Sequence, residues 1–190
     1  MSPRLTHAGA RNVVLLSGGL DSATVAAQLL RRSSCIELVF VDYGQPAAAA
    51  ERGSAGAISE WFELPLVQLV CGPLASVAGE IPGRNALLVH AAMAMRPGAD
   101  AIHIGIHAET GYRDCSPAFV EVMQTSLDFH TDGCLRLSAP LIRMNKAEVA
   151  ALAADLGVPI DATYSCESAN EPCGECSSCR DRRALADDAR

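Results

Sequence analysis

The sequence predicts an α/β fold, a parallel five-stranded sheet with helices on both faces, and three observations carry that prediction. Short apolar runs rich in Val, Ile and Leu alternate with longer Ala-rich stretches at helical spacing. The 190 residues, 49% of them apolar, suffice for one domain with a sizeable core and are too short for two comfortable ones. The first apolar run stops in a Gly-rich turn that leads straight into a helical pattern.

Taken in order, Asn12 to Leu16 reads as the first buried strand. Ala23 to Leu30 reads as the first helix, with Ala23, Ala26, Ala27 and Leu30 on one face and Ser22 as its N-cap. Ile36 to Asp42 is a second buried strand, ending in the turn Asp42-Tyr43-Gly44-Gln45. Ligands of open α/β sheets collect outside the carboxyl ends of strands, so this turn either faces the crevice of the first loop or is a plain turn placed by Gly44. Ala47 to Phe62 suits a helix interrupted by Gly53 and Gly56, and Leu64 to Val70 a third strand. Cys71 to Ile81 is small-residue loop. Pro82-Gly83-Arg84-Asn85 opens a helix to about Met95, capped by Asn85, with Met93 and Met95 as core filler. Arg84 is either a solvated charge or a grip for an anion or the face of a base.

Asp100 to Ile106 is the fourth strand, and the polar loop after it carries His107, Glu109, Tyr112 and Asp114, hydrogen-bonding groups suited to a purine-like edge or to a solvated surface loop. A helix runs from Pro117 to about His130, a fifth strand from Cys134 to Leu141, and a last helix from Asn145 to Leu156, closed by Gly157 with Pro159 beyond. Lys146 opposes the helix dipole at that start, so an anionic neighbour is expected. The domain reading is a nucleotide-type domain over 1–160 and a cysteine-bearing segment, 161–190, packed on it.

The turn Ser17-Gly18-Gly19-Leu20-Asp21-Ser22 is the centre of the chemistry. Gly18 and Gly19 let main-chain N–H groups close on a tetra-oxygen anion without a Cβ intervening, and the following helix N-terminus favours phosphate. Neither the Walker loop nor the Gly-x-Gly-x-x-Gly fingerprint is present. The hydroxyls of Ser17 and Ser22 and the loop amides fit phosphate oxygens. Asp21, an anion in an anion site, makes sense beside a Mg²⁺ that offsets it. The plain alternative is a Gly-rich turn with no ligand.

Composition narrows the class further. The net charge is −7, and basic residues are scattered except for Arg180, Arg182 and Arg183, which argues against a nucleic-acid partner and for a small-molecule substrate. Met1 to Arg11 lacks the apolar core of a signal peptide and no apolar run reaches the ~18–20 residues of a membrane span, so a cytoplasmic location is expected. Eight cysteines in such a chain read as thiols and metal ligands rather than a disulfide framework.

Cys166, Cys173, Cys176 and Cys179 form C-x6-C-x2-C-x2-C in a polar Gly- and Pro-containing segment. Four thiolates at that spacing can surround one tetrahedral Zn²⁺, leaving no open position for a catalytic water. An iron–sulfur cluster is the rival, although the Cys-Pro of ferredoxin runs is missing. Cys35, Cys71 and Cys134 lie in or beside apolar strands and are expected to be buried thiols, with Cys115 ambiguous.

Ser-Gly-Gly-x-Asp-Ser after a strand resembles the pyrophosphate loop of the PP-loop (N-type) ATP pyrophosphatases, whose fold is Rossmann-like, of the adenine nucleotide alpha hydrolase type. The wider set is similar to the 7-cyano-7-deazaguanine synthases, the QueC-type family of queuosine precursor synthesis. That set comprises the 17–22 loop, Asp42 to Gln45, Pro82 to Asn85, Gly111 to Cys115, Pro140 to Ile142, Asn145 to Glu148, Leu156 to Pro159, Ser165-Cys166 and Pro172 to Cys179. Several features depart from the family. The segments before Pro82 and before Gly111 are shortened, Glu167 stands where an aromatic is frequent, and Arg113 where a proline is usual.

The resemblance implies an ATP-dependent carbon–nitrogen ligase with ATP, Mg²⁺ and Zn²⁺ as cofactors. The carboxylate of 7-carboxy-7-deazaguanine attacks the α-phosphorus, pyrophosphate leaves into the loop, and ammonia captures the acyl-adenylate; a second adenylation converts the amide to the nitrile. It implies ATP contacts at Leu16, Ser17, Gly18, Gly19, Leu20, Asp21 and Ser22, positive charge from Lys146, and base contacts at Gln45, Arg84, Asn85, Glu109, Tyr112 and Asp114. Two other functions fit the residues. One is a QueC-like paralogue that passes the acyl group to an amine of a protein or nucleic acid; the other is a zinc-dependent nucleic-acid binding module using the basic tail. A homodimer is compatible with any of these.

Overall fold

The computed structural model describes residues 9–33, 35–74 and 81–188. Five strands form one sheet: β1 Asn12–Leu15, β2 Ile36–Asp42, β3 Leu66–Val70, β4 Ala101–Ile104 and β5 Arg136–Ser138, in the order β3-β2-β1-β4-β5. All four pairings are parallel, with Asn12 opposite both Ile36 and Ala101. Among the described residues six α-helices accompany them: α1 Leu20–Leu30, α2 Ala48–Phe62, α3 Arg84–Met95, α4 Pro117–Thr131, α5 Lys146–Asp155 and α6 Ser177–Asp188. The expected fold class is therefore observed.

Strand alternation creates two cores. Val14, Leu16, Leu38 and Phe40 point to one face and pack with Ala23, Val25, Ala55, Ile58, Val149 and Ala153 from α1, α2 and α5. Val13, Leu15, Val39 and Val41 point to the other, against Val89 and Ala92 of α3 and Met123 and Leu127 of α4. Both faces of β1 and β2 are covered, which is why their sequences are continuous apolar runs. Burying each Leu- or Phe-sized side chain contributes about 1.5–3 kcal/mol, so these two strands anchor the loops at their carboxyl ends.

Several expectations need correction. Ser22 does not cap α1: the helix starts at Leu20 with Gly19 as N-cap and no side-chain cap, because the Ser22 hydroxyl turns back onto Gly19. Asn85 does not cap α3 either. Gly83, at φ +75°, holds that position, and the Asn85 amide donates to the Asp114 carbonyl instead. Cys35, Cys71 and Cys134 are exposed, since each stands just outside a strand rather than between layers, whereas Cys115 is buried. The fifth strand is short, Arg136–Ser138, as befits a sheet edge.

Other signals hold. Ser116 caps α4 ahead of Pro117, and Asn145 and Glu148 form a reciprocal capping box at α5. Among the described residues no helix is long and apolar enough to cross a membrane.

Candidate active site

The chain lays down β1, β2 and β3 in one direction and then returns to place β4 and β5 on the far side of β1. The order reverses between β1 and β4, where open α/β sheets bind ligands. A cleft of about 960 Å³ opens there, lined by Ser17, Asp21, Tyr43, Arg84, His107 and Lys146 among others. That is near the upper end of the roughly 300–1,000 Å³ typical of small-molecule sites.

The loop between β1 and α1 forms one wall. Gly18 adopts φ +85° and lies flat on α2, where a Cβ would stand 2.5 Å from the Glu51 carbonyl oxygen. The Ser22 hydroxyl accepts the Ser17 N–H at 3.2 Å and donates to the Gly19 carbonyl at 3.0 Å, drawing the turn into a ring. Since no side chain caps α1, its first-turn amides remain available to an anion. On the β4 side, a Cβ at Gly105 would lie 2.7 Å from the Ser22 nitrogen, so glycine there lets α1 start close against the sheet.

Asp21 sits in that first turn, its Oδ2 3.5 Å from Nε2 of the buried His107. Burial pushes the Asp21 carboxyl above the ordinary range, with the charges of His107 and Lys146 pulling it down and that of Asp181 pushing it up. Lys146 opens α5, with Nζ 2.9 Å from Asp181 Oδ2 and its backbone N–H donating to Glu109 Oε2 at 3.0 Å. The anionic neighbours expected for this lysine are thus present.

At the end of β2, Asp42 pairs with Arg52 and accepts the Gly44 N–H, shaping the turn. Gln45 accepts the Tyr43 N–H through Oε1 at 2.9 Å and donates to Glu51 Oε2 at 2.7 Å. Arg84 lies 5.9 Å from the Tyr112 ring centroid. Burial pushes the Tyr43 phenol up, with the Arg84 charge opposing it.

Leu16, Ser17, Gly19, Leu20, Asp21, Ser22, Gln45, Arg84, Asn85, Tyr112 and Lys146 all line the cleft. Glu109 and Asp114 are engaged elsewhere. Glu109 accepts from the first amide of α5 and Asp114 from the Asn85 amide at 3.3 Å, so both carboxylates serve helix N-termini.

Sequence reading did not single out Glu51, Tyr164 or Asp181, and took Arg182 only as part of a basic tail. Glu51 is hidden in an Ala-rich helix, and nothing in the local pattern says that it faces inward. The other three lie in the tail, which the fold carries back to the cleft. The Tyr164 N–H donates to the Gly18 carbonyl at 2.9 Å, and Arg182 donates to the Thr163 and Ile160 carbonyls at 2.7 and 3.1 Å.

Asn170, between the first two cysteines of the cluster, caps the start of α2 by accepting the Ala49 and Ala50 amides, both at 3.1 Å. The four sulfurs of Cys166, Cys173, Cys176 and Cys179 all lie within 4.8 Å of one another. A tetrahedral ion with Zn–S near 2.3 Å needs sulfurs about 3.8 Å apart, so the set fits one metal ion with little adjustment. The Cys173 amide donates to Cys166 Sγ and the Cys176 amide to Cys173 Sγ, contacts that favour thiolates. Backbone N–H groups, that of Cys173 first, hold the Cys166 thiol down to about 6.

The family model described as "Queuosine biosynthesis protein QueC" matches residues 11–80 and 75–188, two pieces that overlap at 75–80. The 7-cyano-7-deazaguanine synthase of Prochlorococcus marinus (strain AS9601) is 32% identical over 205 residues, covering 90% of this chain and 91% of its own. That of Methanospirillum hungatei JF-1 is 35% identical over 201 residues, covering 90% and 91%. Among solved structures, the U34-tRNA thiolase NcsA of Methanococcus maripaludis with its [4Fe-4S] cluster superimposes with a TM-score of 0.57 at 16% identity, over 94% of this chain and 64% of that one. A 4-thiouridine synthetase in complex with RNA and ATP gives 0.53 at 19%, over 94% and 50%. These two likenesses establish the fold alone. With its loop, cleft and cysteine cluster in one parallel α/β sheet and its family match spanning nearly all of the described residues, this chain belongs to the QueC family of queuosine biosynthesis proteins.

Proposed function

We propose that the chain is an ATP-dependent synthase that adenylates the carboxylate of 7-carboxy-7-deazaguanine and, with ammonia, carries it through the amide to 7-cyano-7-deazaguanine. The observation that carries this reading is the uncapped N-terminus of α1 opening, with the Ser17–Ser22 loop, onto a cleft large enough for two ligands. Its support from relatives is the name 7-cyano-7-deazaguanine synthase on proteins that align with nine-tenths of the chain.

The loop amides and the Ser17 and Ser22 hydroxyls receive the departing pyrophosphate. A single well-placed donor to such developing charge lowers the barrier by about 3–4 kcal/mol. Lys146 adds a compact cation at the same wall. Asp21 is the group that would hold Mg²⁺, which supplies the positive charge a triphosphate needs. The purine-like ring lies toward Arg84, Gln45, Asn85 and Tyr112, in the part of the cleft lined by side-chain hydrogen-bonding groups. Glu109 and Asp114, which the resemblance also gives to the substrate, act through the starts of α5 and α3. The segment 161–190 is a zinc-binding unit packed on 1–160, and with four protein ligands its role is structural.

Incubation with ATP, Mg²⁺, ¹⁵N-ammonium and 7-carboxy-7-deazaguanine, followed by mass spectrometry, tests the reading. The expected product is the ¹⁵N-nitrile, with AMP and pyrophosphate. The family match falls in two pieces that overlap at residues 75–80, just before Pro82 where the chain reads as shortened, and this favours a second reading, transfer of the acyl group to a macromolecular amine. A mass gain on a protein or nucleic acid, with no small-molecule nitrile, selects it.

A further inference from the structure

Lys146 is the only lysine of the chain; every other cationic side chain apart from histidine is an arginine. Its ammonium lies 2.9 Å from Asp181 on α6, with the two side chains 34% and 45% exposed. An ion pair at that exposure is screened by solvent and adds too little to fold stability for that to be its main effect. Orientation is a better account. A lysine stem has four rotatable bonds, and holding its ammonium in one place costs side-chain entropy unless a partner fixes it.

Asp181 stands on a held element. The neighbouring Arg182 bonds to the Thr163 carbonyl, the Thr163 hydroxyl and the Ile160 carbonyl at 2.7, 3.0 and 3.1 Å, and Cys179 of the sulfur cluster lies in the first turn of the same helix. The charges of both Lys146 and Asp181 reach Asp21 in the phosphate loop.

We propose that Asp181 is a positioning residue: its carboxylate takes one of the three ammonium donors of Lys146 and leaves the other two aimed at the phosphates of bound ATP. The assignment rests on the proposed function, in which Lys146 faces the nucleotide.

Because the chain has one lysine, its acetylation by acetic anhydride can be followed at a single peptide by mass spectrometry, with and without Mg·ATP. The full chain is compared with Asp181→Asn and Asp181→Glu, alongside metal content, melting temperature, kcat and the KM for ATP. In the wild type, saturating ATP is expected to slow Lys146 acetylation by about tenfold or more. Asp181→Asn is expected to lose most of that protection and to lower kcat by roughly 10–100-fold, at unchanged metal content and melting temperature. Asp181→Glu is expected to recover most of both.

Wild-type protection and kcat in Asp181→Asn overturn the proposal. So do losses that follow metal content in both variants, which would make Asp181 a support of α6 only. If ATP fails to protect Lys146 in the wild type itself, the phosphate-site reading falls, and the positioning role falls with it.

Discussion

Nε2 of His107 stands 3.5 Å from Oδ2 of Asp21, and the His107 side chain is only 3% exposed. Among the described residues neither ring nitrogen has a hydrogen-bond partner. A half-buried carboxylate facing a buried ring across the start of α1 is an arrangement of charge and dipole that serves a ligand better than it serves the fold.

Replacing Asp21 by alanine is therefore expected to leave the melting temperature within a few degrees of wild type and to reduce AMP and pyrophosphate formation by at least about 10²–10³-fold. A coupled pyrophosphate assay beside a thermal melt checks both. Unchanged pyrophosphate release contradicts the loop assignment.

Gly105→Ala tests how closely α1 must start against β4. The new Cβ would meet the Ser22 nitrogen at 2.7 Å and the Asp21 carbonyl carbon at 2.8 Å, backbone atoms that cannot swing aside. A loss of about 1–3 kcal/mol of stability is expected, with weaker ATP binding, since the same shift moves the anion-binding amides. Chemical denaturation and nucleotide titration measure the two effects.

Glu51 predicts a pH signature. Burial raises its carboxyl pKa, with the Gln45 hydrogen bond and the Arg84 charge opposing. A raised acid binds its proton more tightly folded than unfolded. Stability therefore declines as pH rises from the ordinary carboxyl range through the raised folded value, and the cost is fully present above it. Glu51→Gln keeps an oxygen for Gln45 and removes the buried charge. The ligand-free variant should melt about 2–4 °C above wild type at pH 7.5, corresponding to about 1 kcal/mol in a chain of this size, and level with it near pH 4. Equal melting at both pH values contradicts the burial argument.

Most of the sheet was legible because β1 and β2 are buried on both faces, and nothing but an apolar run satisfies that position. The loop from Ser17 to Ser22 was legible because a turn between such a strand and a helix has few uses for paired glycines. Caps were less so. Ser22 and Asn85 are good capping residues by type, yet the Ser22 hydroxyl turns back onto Gly19 and a long-range bond to Asp114 claims the Asn85 side chain. The tail's contribution to the cleft could not be read at all, since Tyr164 meets Gly18, and Asp181 meets Lys146, only after the chain has returned across the sheet.

The cysteine cluster is open to direct test. Cys176→Ser removes one of four thiolates, and tetrahedral sites with three sulfurs bind far more weakly. Metal content by a chromogenic chelator is expected to fall below half of wild type, with new protease cleavage between residues 165 and 188. Retained one-to-one zinc argues against the assigned ligand set, while brown colour and iron in the wild type would replace zinc by an iron–sulfur cluster.

In the proposed reaction a carboxylate oxygen of the substrate attacks the α-phosphorus of ATP while residues 17–22 hold the departing pyrophosphate. The most direct measurement supplies 7-carboxy-7-deazaguanine with both carboxylate oxygens as ¹⁸O, together with ATP, Mg²⁺ and ammonium, and weighs the AMP. One ¹⁸O in each AMP released is the predicted result. AMP without the label, or label appearing in inorganic phosphate beside ADP, would contradict it.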